Sequence, residues 1–213
     1  MIIDHIETLL SCGEYARSDD WKATRERIHD AVKAVDWPKG SGIFAINPVA
    51  KANGVRPIRT VFVERLRSQG WGTERPINLV SDPESKKRDL QPGNLDFMLS
   101  TVQGPIAIEW ETGNVSSSHR SMNKLALGLT QGVIAAGIMI VPSRRLYRFL
   151  TDRIGNFEEL RPYFPYWRSI NCINGAGIFE IIAFGHDCES PAVPLIPKGG
   201  DGNAPKPKIK RKR

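Results

Sequence analysis

Three acidic residues, Asp96, Glu109 and Glu111, stand where strand pairing can gather them. Asp96 lies in the extended run Leu95 to Ser100 and the glutamates in Ile106 to Glu111, and TVQGP between them has hairpin length and contains Gly104. In the second run Ile106, Ile108 and Trp110 alternate with Ala107, Glu109 and Glu111, so two-residue periodicity puts both glutamates on one face. Antiparallel pairing brings Asp96 to the same edge. Three anions that close repel one another. They stay in solvent, shift their pKa values, or hold a divalent cation such as Mg²⁺, which takes a few carboxylate oxygens and keeps several waters. The competing reading is an exposed edge strand with a polar outer face, and the pattern alone leaves both open.

The elements that must position these acids read as an α/β single domain, a central mixed β-sheet with helices on both faces. Ile3, Ile6, Leu9 and Leu10 recur at helical spacing, and so do Trp21, Ile28, Val32 and Val35 behind the cap signal Ser18-Asp19-Asp20. GIFAIN is a short strand candidate, and a helix from Pro57 presents Ile58, Val61, Phe62 and Leu66 before Gly70 ends it. The polar run SDPESKKRDLQPG is expected to stay unpacked. After Gly113 and Asn114 break the acid-bearing strand, the hydroxyls of Ser116 to Ser118 are placed to cap a helix with Met122, Leu125 and Leu129 on one side. Val133 to Val141 reads as a fully buried strand, Pro142-Ser143 as the start of a helix through Leu150, and Gly177 to Phe184 as a further strand.

Composition narrows the class. The chain has 213 residues, 40% of them hydrophobic and 25% charged, enough for one sizeable core. No apolar run is long enough for a membrane span, so no membrane partner is expected. Of the net charge of +7, the segment from Lys198 on carries +6, with seven basic residues and one acid. Residues 1–197 are therefore expected to form the folded domain, and 198–213 a basic, flexible arm that either meets phosphates or is simply a solvated end. From Ser190 the dense Pro and Gly suggest an extended, surface-tracking segment. Cys12, Cys172 and Cys188 show no CxxC spacing and read as reduced thiols, and acids in the first ten residues argue against a signal peptide, so a cytoplasmic protein is expected.

The stretch IEWETGNVSSSHRSMNKL, residues 108–125, strongly resembles the catalytic strand and following helix of BamHI-type type II restriction endonucleases. The resemblance continues in LTDRIGNFEELRPYF (150–164) and VPLIPKGGDG (193–202), and more loosely in NGVRPIR (53–59) and WGTERP (71–76). It implies a restriction-endonuclease-like fold with a PD-(D/E)xK nuclease core. It also implies a homodimer that cuts palindromic duplex DNA at GGATCC to leave 5′ overhangs, using Mg²⁺, two ions per site with Mn²⁺ able to substitute, and no nucleotide cofactor.

Carried over by position, the resemblance makes Glu74, Asp96, Glu109 and Glu111 the catalytic acids, with Glu74, Asp96, Glu109 and the Trp110 carbonyl holding metal. Glu111 stands where related nucleases carry lysine, and would orient or deprotonate the attacking water. Arg59, Asn114, Ser116, Arg120, Asp152, Arg153 and Asp201 match DNA-contacting positions, Arg59 replacing a family lysine. An adjacent Asp and Arg suit a G·C step, the acid accepting from cytosine and the guanidinium donating to guanine. Two other readings of the scaffold remain: a structure-selective or repair nuclease, and a DNA-binding protein without catalysis.

Overall fold

A six-stranded mixed sheet runs through the middle of the protein, and the acid-bearing hairpin lies inside it, away from its rim. The computed structural model describes residues 1–79, 82–88, 91–151, 154–171 and 177–198. In chain order the elements are β1 (Ile2–Cys12), α1 (Asp19–Lys33), β2 (Ala45–Ile46), α2 (Arg56–Ser68), β3 (Gly72–Arg75), α3 (Pro83–Lys87), β4 (Leu95–Leu99) and β5 (Ile106–Trp110). They continue with α4 (Val115–Thr130), β6 (Ala136–Pro142), α5 (Arg144–Tyr147), α6 (Phe157–Leu160), α7 (Phe164–Arg168), β7 (Gly177–Gly185) and β8 (Cys188–Glu189). The strand order is β1-β7-β6-β5-β4-β3, with β5, β6 and β7 mutually parallel and the outer pairs antiparallel. This is the expected mixed α/β architecture.

Every residue of β5, β6 and β7 is buried, which a strand covered on both faces requires. Alternation sorts their side chains between two cores. Ile108, Trp110, Ile140 and Phe184 pack toward α1 and α2, while Ala107, Met139, Val141 and Phe179 pack toward α4, α6 and α7. Behind β5 the rings of Phe62, Trp110 and Phe184 stack in a column with centroids 4.5 and 4.8 Å apart. Each such ring contributes roughly 1.5–3 kcal/mol by burial. The column fixes the strand's back, and with it the direction in which Glu109 points at its front.

The first ten residues depart from the helix expected of them and form β1, paired antiparallel with β7. The apolar spacing misleads because β1 carries two register irregularities, between Ile3 and His5 and between Thr8 and Leu10. Each inserts a residue and resets the two-residue phase, so Leu9 reaches the core at a position simple alternation would not give it. The helix expected through Leu150 is shorter, a single turn at Arg144–Tyr147. The polar run after Ser81 holds the short helix α3, capped by the Asp82 side chain. Helix α6 is opened by a reciprocal capping box between Asn156 and Glu159.

The segment after Ser190 is pinned more firmly than a surface-tracking arm. β8 pairs with β2, Ile196 is buried, and the buried Asn53 side chain accepts from the Ile196 N–H while donating to the Phe149 carbonyl. Asn53 thereby ties three loops together at one point. Cys12 is disulfide-bonded, contrary to the expectation of three reduced thiols, and Cys188 is free and exposed. Among the described residues no helix is long and apolar enough to cross a membrane.

On α1, burial pushes the His29 imidazole down to about 4, with Arg25 and Lys33 adding to the effect. Between about pH 6.5 and 4 the unfolded chain binds this proton and the folded chain does not, so stability falls as the solution is acidified through that window. The melting temperature of His29→Asn should fall less than wild type between pH 6.5 and 4; parallel falls in the two proteins would refute the assignment.

Candidate active site

Glu109 is the buried centre of the site. β5 lies between β4 and β6, and Glu109 is only 3% exposed, which overturns the edge-strand reading of its alternating acids. The residue faces α4. There Ser121 Oγ lies 3.0 Å from Glu109 Oε2 and Lys124 Nζ 2.7 Å from Oε1. The lysine contact is a close ion pair without hydrogen-bond alignment, since Oε1 has no hydrogen-bond partner. Lys124 is itself buried and donates to the Asn94 carbonyl at 2.7 Å.

Asp96 is brought to Glu109 by the antiparallel pairing of Phe97 with Ile108, because it directly precedes that pair and Glu109 directly follows it. Asp96 Oδ2 accepts the Trp110 N–H at 2.9 Å, and its Oδ1 lies 2.9 Å from Arg59 Nη2. The same Nη2 is 3.6 Å from Glu74 Oε1. Glu74 sits at φ 50 between the pairs Thr73–Phe97 and Arg75–Leu95, and their unbroken register sets it opposite Asp96. Four acids therefore follow one another along one edge: Glu74 and Asp96 bridged by Arg59, then Glu109 and Glu111 sharing Ser121, 3.1 Å from Glu111 Oε2.

The charges feel this placement. Burial, then the neighbouring Asp96, push the Glu109 carboxyl up to about 7, against the pull of Lys124 and Ser121. Burial also raises Glu111, while the Gly113 N–H at 2.5 Å, Ser121 and Arg120 favour its ionised form. A serine hydroxyl has a single proton to donate, so Ser121 can serve only one of the two glutamates at a time. Outside this chain of contacts the other buried acid among the described residues is Glu180, on the opposite face, matched by Arg25 at 2.9 Å.

The donor set is all oxygen, the chemistry of a hard divalent cation. Among the described residues, however, no three acids stand close enough to share an ion as the side chains now lie. The expected trio is thus drawn up along one edge without closing into a cage. The reason is visible in the contacts: Arg59 and the Trp110 N–H take both oxygens of Asp96, and Ser121 and Lys124 flank those of Glu109. Trp110 lies between the two glutamates at the end of β5, its side chain in the opposite core.

Of the expected DNA-contacting residues, Asn114 proves to be the cap of α4, its side chain accepting from the Ser117 N–H at 2.9 Å. The helix consequently starts at Val115, and Ser116 and Arg120 lie exposed on its first turns, where serine capping had been expected. Arg59 faces the acids. Asp152, Arg153 and Asp201 lie outside the described residues. Their flanks are anchored near the site, since the Thr151 N–H donates to the Asn53 carbonyl and the Gly155 N–H to the Gly113 carbonyl. Ser121 and Lys124 were not singled out from sequence; their signal is the spacing of three that puts both on the α4 face turned toward β5. A cavity of about 920 Å³ lies at the other end of the hairpin beside Tyr15 and Thr101 and holds none of these groups.

Comparison with known proteins identifies the family. The family described as restriction endonuclease BamHI matches residues 1–203. The type II restriction enzyme OkrAI of Oceanobacter kriegii is 45% identical over 177 residues, covering 83% of this chain and 87% of the relative. The type II restriction enzyme BamHI of Bacillus amyloliquefaciens is 39% identical over 168 residues, 78% of this chain and 75% of its own. Among solved structures, restriction endonuclease BglII complexed with a DNA 16-mer superposes with a TM-score of 0.54 at 12% identity, over 88% of this chain and 80% of that one, a likeness of fold.

A cation that binds Glu109 must displace the proton held there below about pH 7. Mn²⁺ affinity, titrated in the absence of DNA, should rise by about tenfold between about pH 6 and pH 8. A flat profile would show that Glu109 is not a ligand.

Proposed function

We propose a function from the premise that this chain belongs to the BamHI family of type II restriction endonucleases. It is a site-specific endonuclease of DNA, and we take its finer properties to be a homodimer, a GGATCC target, Mg²⁺ dependence and cleavage with 5′ overhangs. The observation that carries the catalytic reading is the buried Glu109, raised to about 7 and set beside Asp96 in the middle of the sheet. Such a pair of acids is costly in a fold without a compensating use.

Hydrolysis of a phosphodiester asks for an aimed water and for relief of negative charge on the phosphate and the departing 3′ oxygen. Glu74, Asp96, Glu109 and the Trp110 carbonyl would hold Mg²⁺, which when bound supplies that relief and makes water more acidic. Glu111 accepts the water's proton, and the Gly113 N–H and Ser121 hold its carboxylate in place. Lys124 keeps Glu109 oriented from behind. Asn114 and Ser116 at the start of α4, with Arg120, approach the groove, and Asp152, Arg153, Asp201 and Arg59 complete the reading of bases and phosphates.

A two-fold dimer matches a palindrome, giving one centre per strand. Val115 at the start of α4 and the nearby Tyr163 and Tyr166 are exposed apolar groups that favour α4 and its flank as the dimer surface. Helix α5 shows no such fringe among its described residues.

Digestion of a plasmid of known sequence, with the ends mapped, should give GGATCC cuts only when Mg²⁺ is present. Glu109→Ala should bind the same duplex and lose cleavage by about a thousandfold or more; normal cutting by this variant would end the nuclease reading, and cuts confined to branched or damaged DNA would favour a repair enzyme. Removing residues 206–213 should weaken binding evenly across sequences and lower the salt slope, in proportion to the phosphates they neutralise. An unchanged slope would leave the tail without a DNA role.

A further inference from the structure

We propose that Arg59 stands in for the divalent cation in the DNA-free protein and yields its place when a DNA phosphate takes over its guanidinium. The inference rests on the nuclease reading and adds to it the order in which metal and DNA are taken up. Its basis is the occupancy of Asp96. One oxygen of that carboxylate is held by a backbone N–H at 2.9 Å, and the other, Oδ1, faces Arg59 at 2.9 Å. A cation can reach Asp96 Oδ1 squarely only by displacing that guanidinium. The same nitrogen spans toward Glu74, so the arginine sits between two of the acids expected to share an ion.

The site holds two internal cations, and they differ in how firmly they are fixed. Lys124 is 9% exposed and is tied to the Asn94 carbonyl as well as to Glu109, so it stays. Arg59 is 31% exposed and its Nε has no hydrogen-bond partner. It lies over the Phe97 ring at 5.2 Å and borders a cavity of about 330 Å³ that also reaches Thr60, Glu64 and Glu74. That space lets the side chain leave Asp96 while its stem remains on α2.

A duplex brings the partner that makes departure cheap. Guanidinium binds phosphate through parallel hydrogen bonds as readily as carboxylate, so moving from Asp96 to phosphate keeps Arg59 paired. The carboxylates it leaves behind are then uncompensated and attract a divalent ion. Metal and DNA each favour the other's binding, as linkage requires. Without DNA, Arg59 opposes the ion by occupying its ligand and by its own charge.

The test measures metal without turnover. Mn²⁺ is titrated into DNA-free wild type, Arg59→Met, Arg59→Lys and the double variant Arg59→Met/Asp96→Asn, with free Mn²⁺ followed by electron paramagnetic resonance. Arg59→Met should bind Mn²⁺ about tenfold or more tightly than wild type, and the double variant should lose that gain. Arg59→Lys, which keeps one charge but cannot span both acids, should fall between. In EDTA, the salt slope of binding to a GGATCC duplex should drop by about one in Arg59→Met. Equal or weaker Mn²⁺ binding by Arg59→Met, with the site still lost on Asp96→Asn, overturns the placeholder role and leaves the nuclease reading intact. No Asp96-dependent Mn²⁺ site in any protein overturns both. An unchanged salt slope overturns the transfer to phosphate.

Discussion

The desolvation of Glu109 is the constraint around which the site is arranged. A carboxylate in the middle strand of a covered sheet loses its water, and a cation or hydrogen-bond donors must replace that water or the group must keep its proton. Here both happen in part. Lys124 and Ser121 approach from α4, yet Asp96 stands on the adjoining strand and burial still dominates, leaving the carboxyl near neutrality. The result is a carboxyl that takes up and releases its proton near ordinary pH.

That poise depends on rigid parts. The aromatic column of Phe62, Trp110 and Phe184 holds the back of β5, while the parallel pairing with β6 continues to Trp110 and the next N–H, that of Glu111, donates to the Ile140 carbonyl. Glu109 therefore has little freedom beyond its own side-chain torsions. Glu74 and Arg59 are different: Glu74 stands on the edge strand at positive φ and is two-thirds exposed, and Arg59 is half-buried on a helix face. The acids nearest the sheet centre are fixed and their outer partners are adjustable, a division suited to a site that is completed only when its substrate arrives.

Much of this was legible in the letters. Alternation in IAIEWE placed the glutamates on one face, and the hairpin placed Asp96 beside them, because both inferences use only the geometry of extended chains. The likeness of residues 108–125 to one enzyme family added the roles. What stayed hidden depends on tertiary context. Two bulges disguised β1 as a helix. The cap of α4 went to Asn114, ahead of three serines, because the strand ends one residue sooner than alternation implied. The counter-ions Lys124 and Arg59 could not be assigned, since a sequence does not say which cation a buried acid will choose. Arg59 in particular reads as a DNA contact, and in the DNA-free protein it rests on the acids.

One buried side chain anchors the segments that lead to the matched Asp152, Arg153 and Asp201. Asn53 bonds to the loop after α5 and to the segment that leads toward Asp201, and Gly155 closes the same loop onto Gly113. An extra Cβ at Gly155 would collide with Ser118 and Val115 on α4, so the loop carrying the matched Asp152 and Arg153 can approach the helix only with glycine there. Recognition residues borne on loops usually tolerate drift. Here the segments on either side of Asp152 and Arg153 are anchored by backbone hydrogen bonds to Asn53 and Gly113, so on the proposed function a base contact made between them would be felt at the Gly113 turn, whose N–H holds Glu111. On that reading, sequence readout and the aim of Glu111 share one short stretch of backbone, a physical route by which a wrong base pair would slow the chemistry as well as weaken the grip.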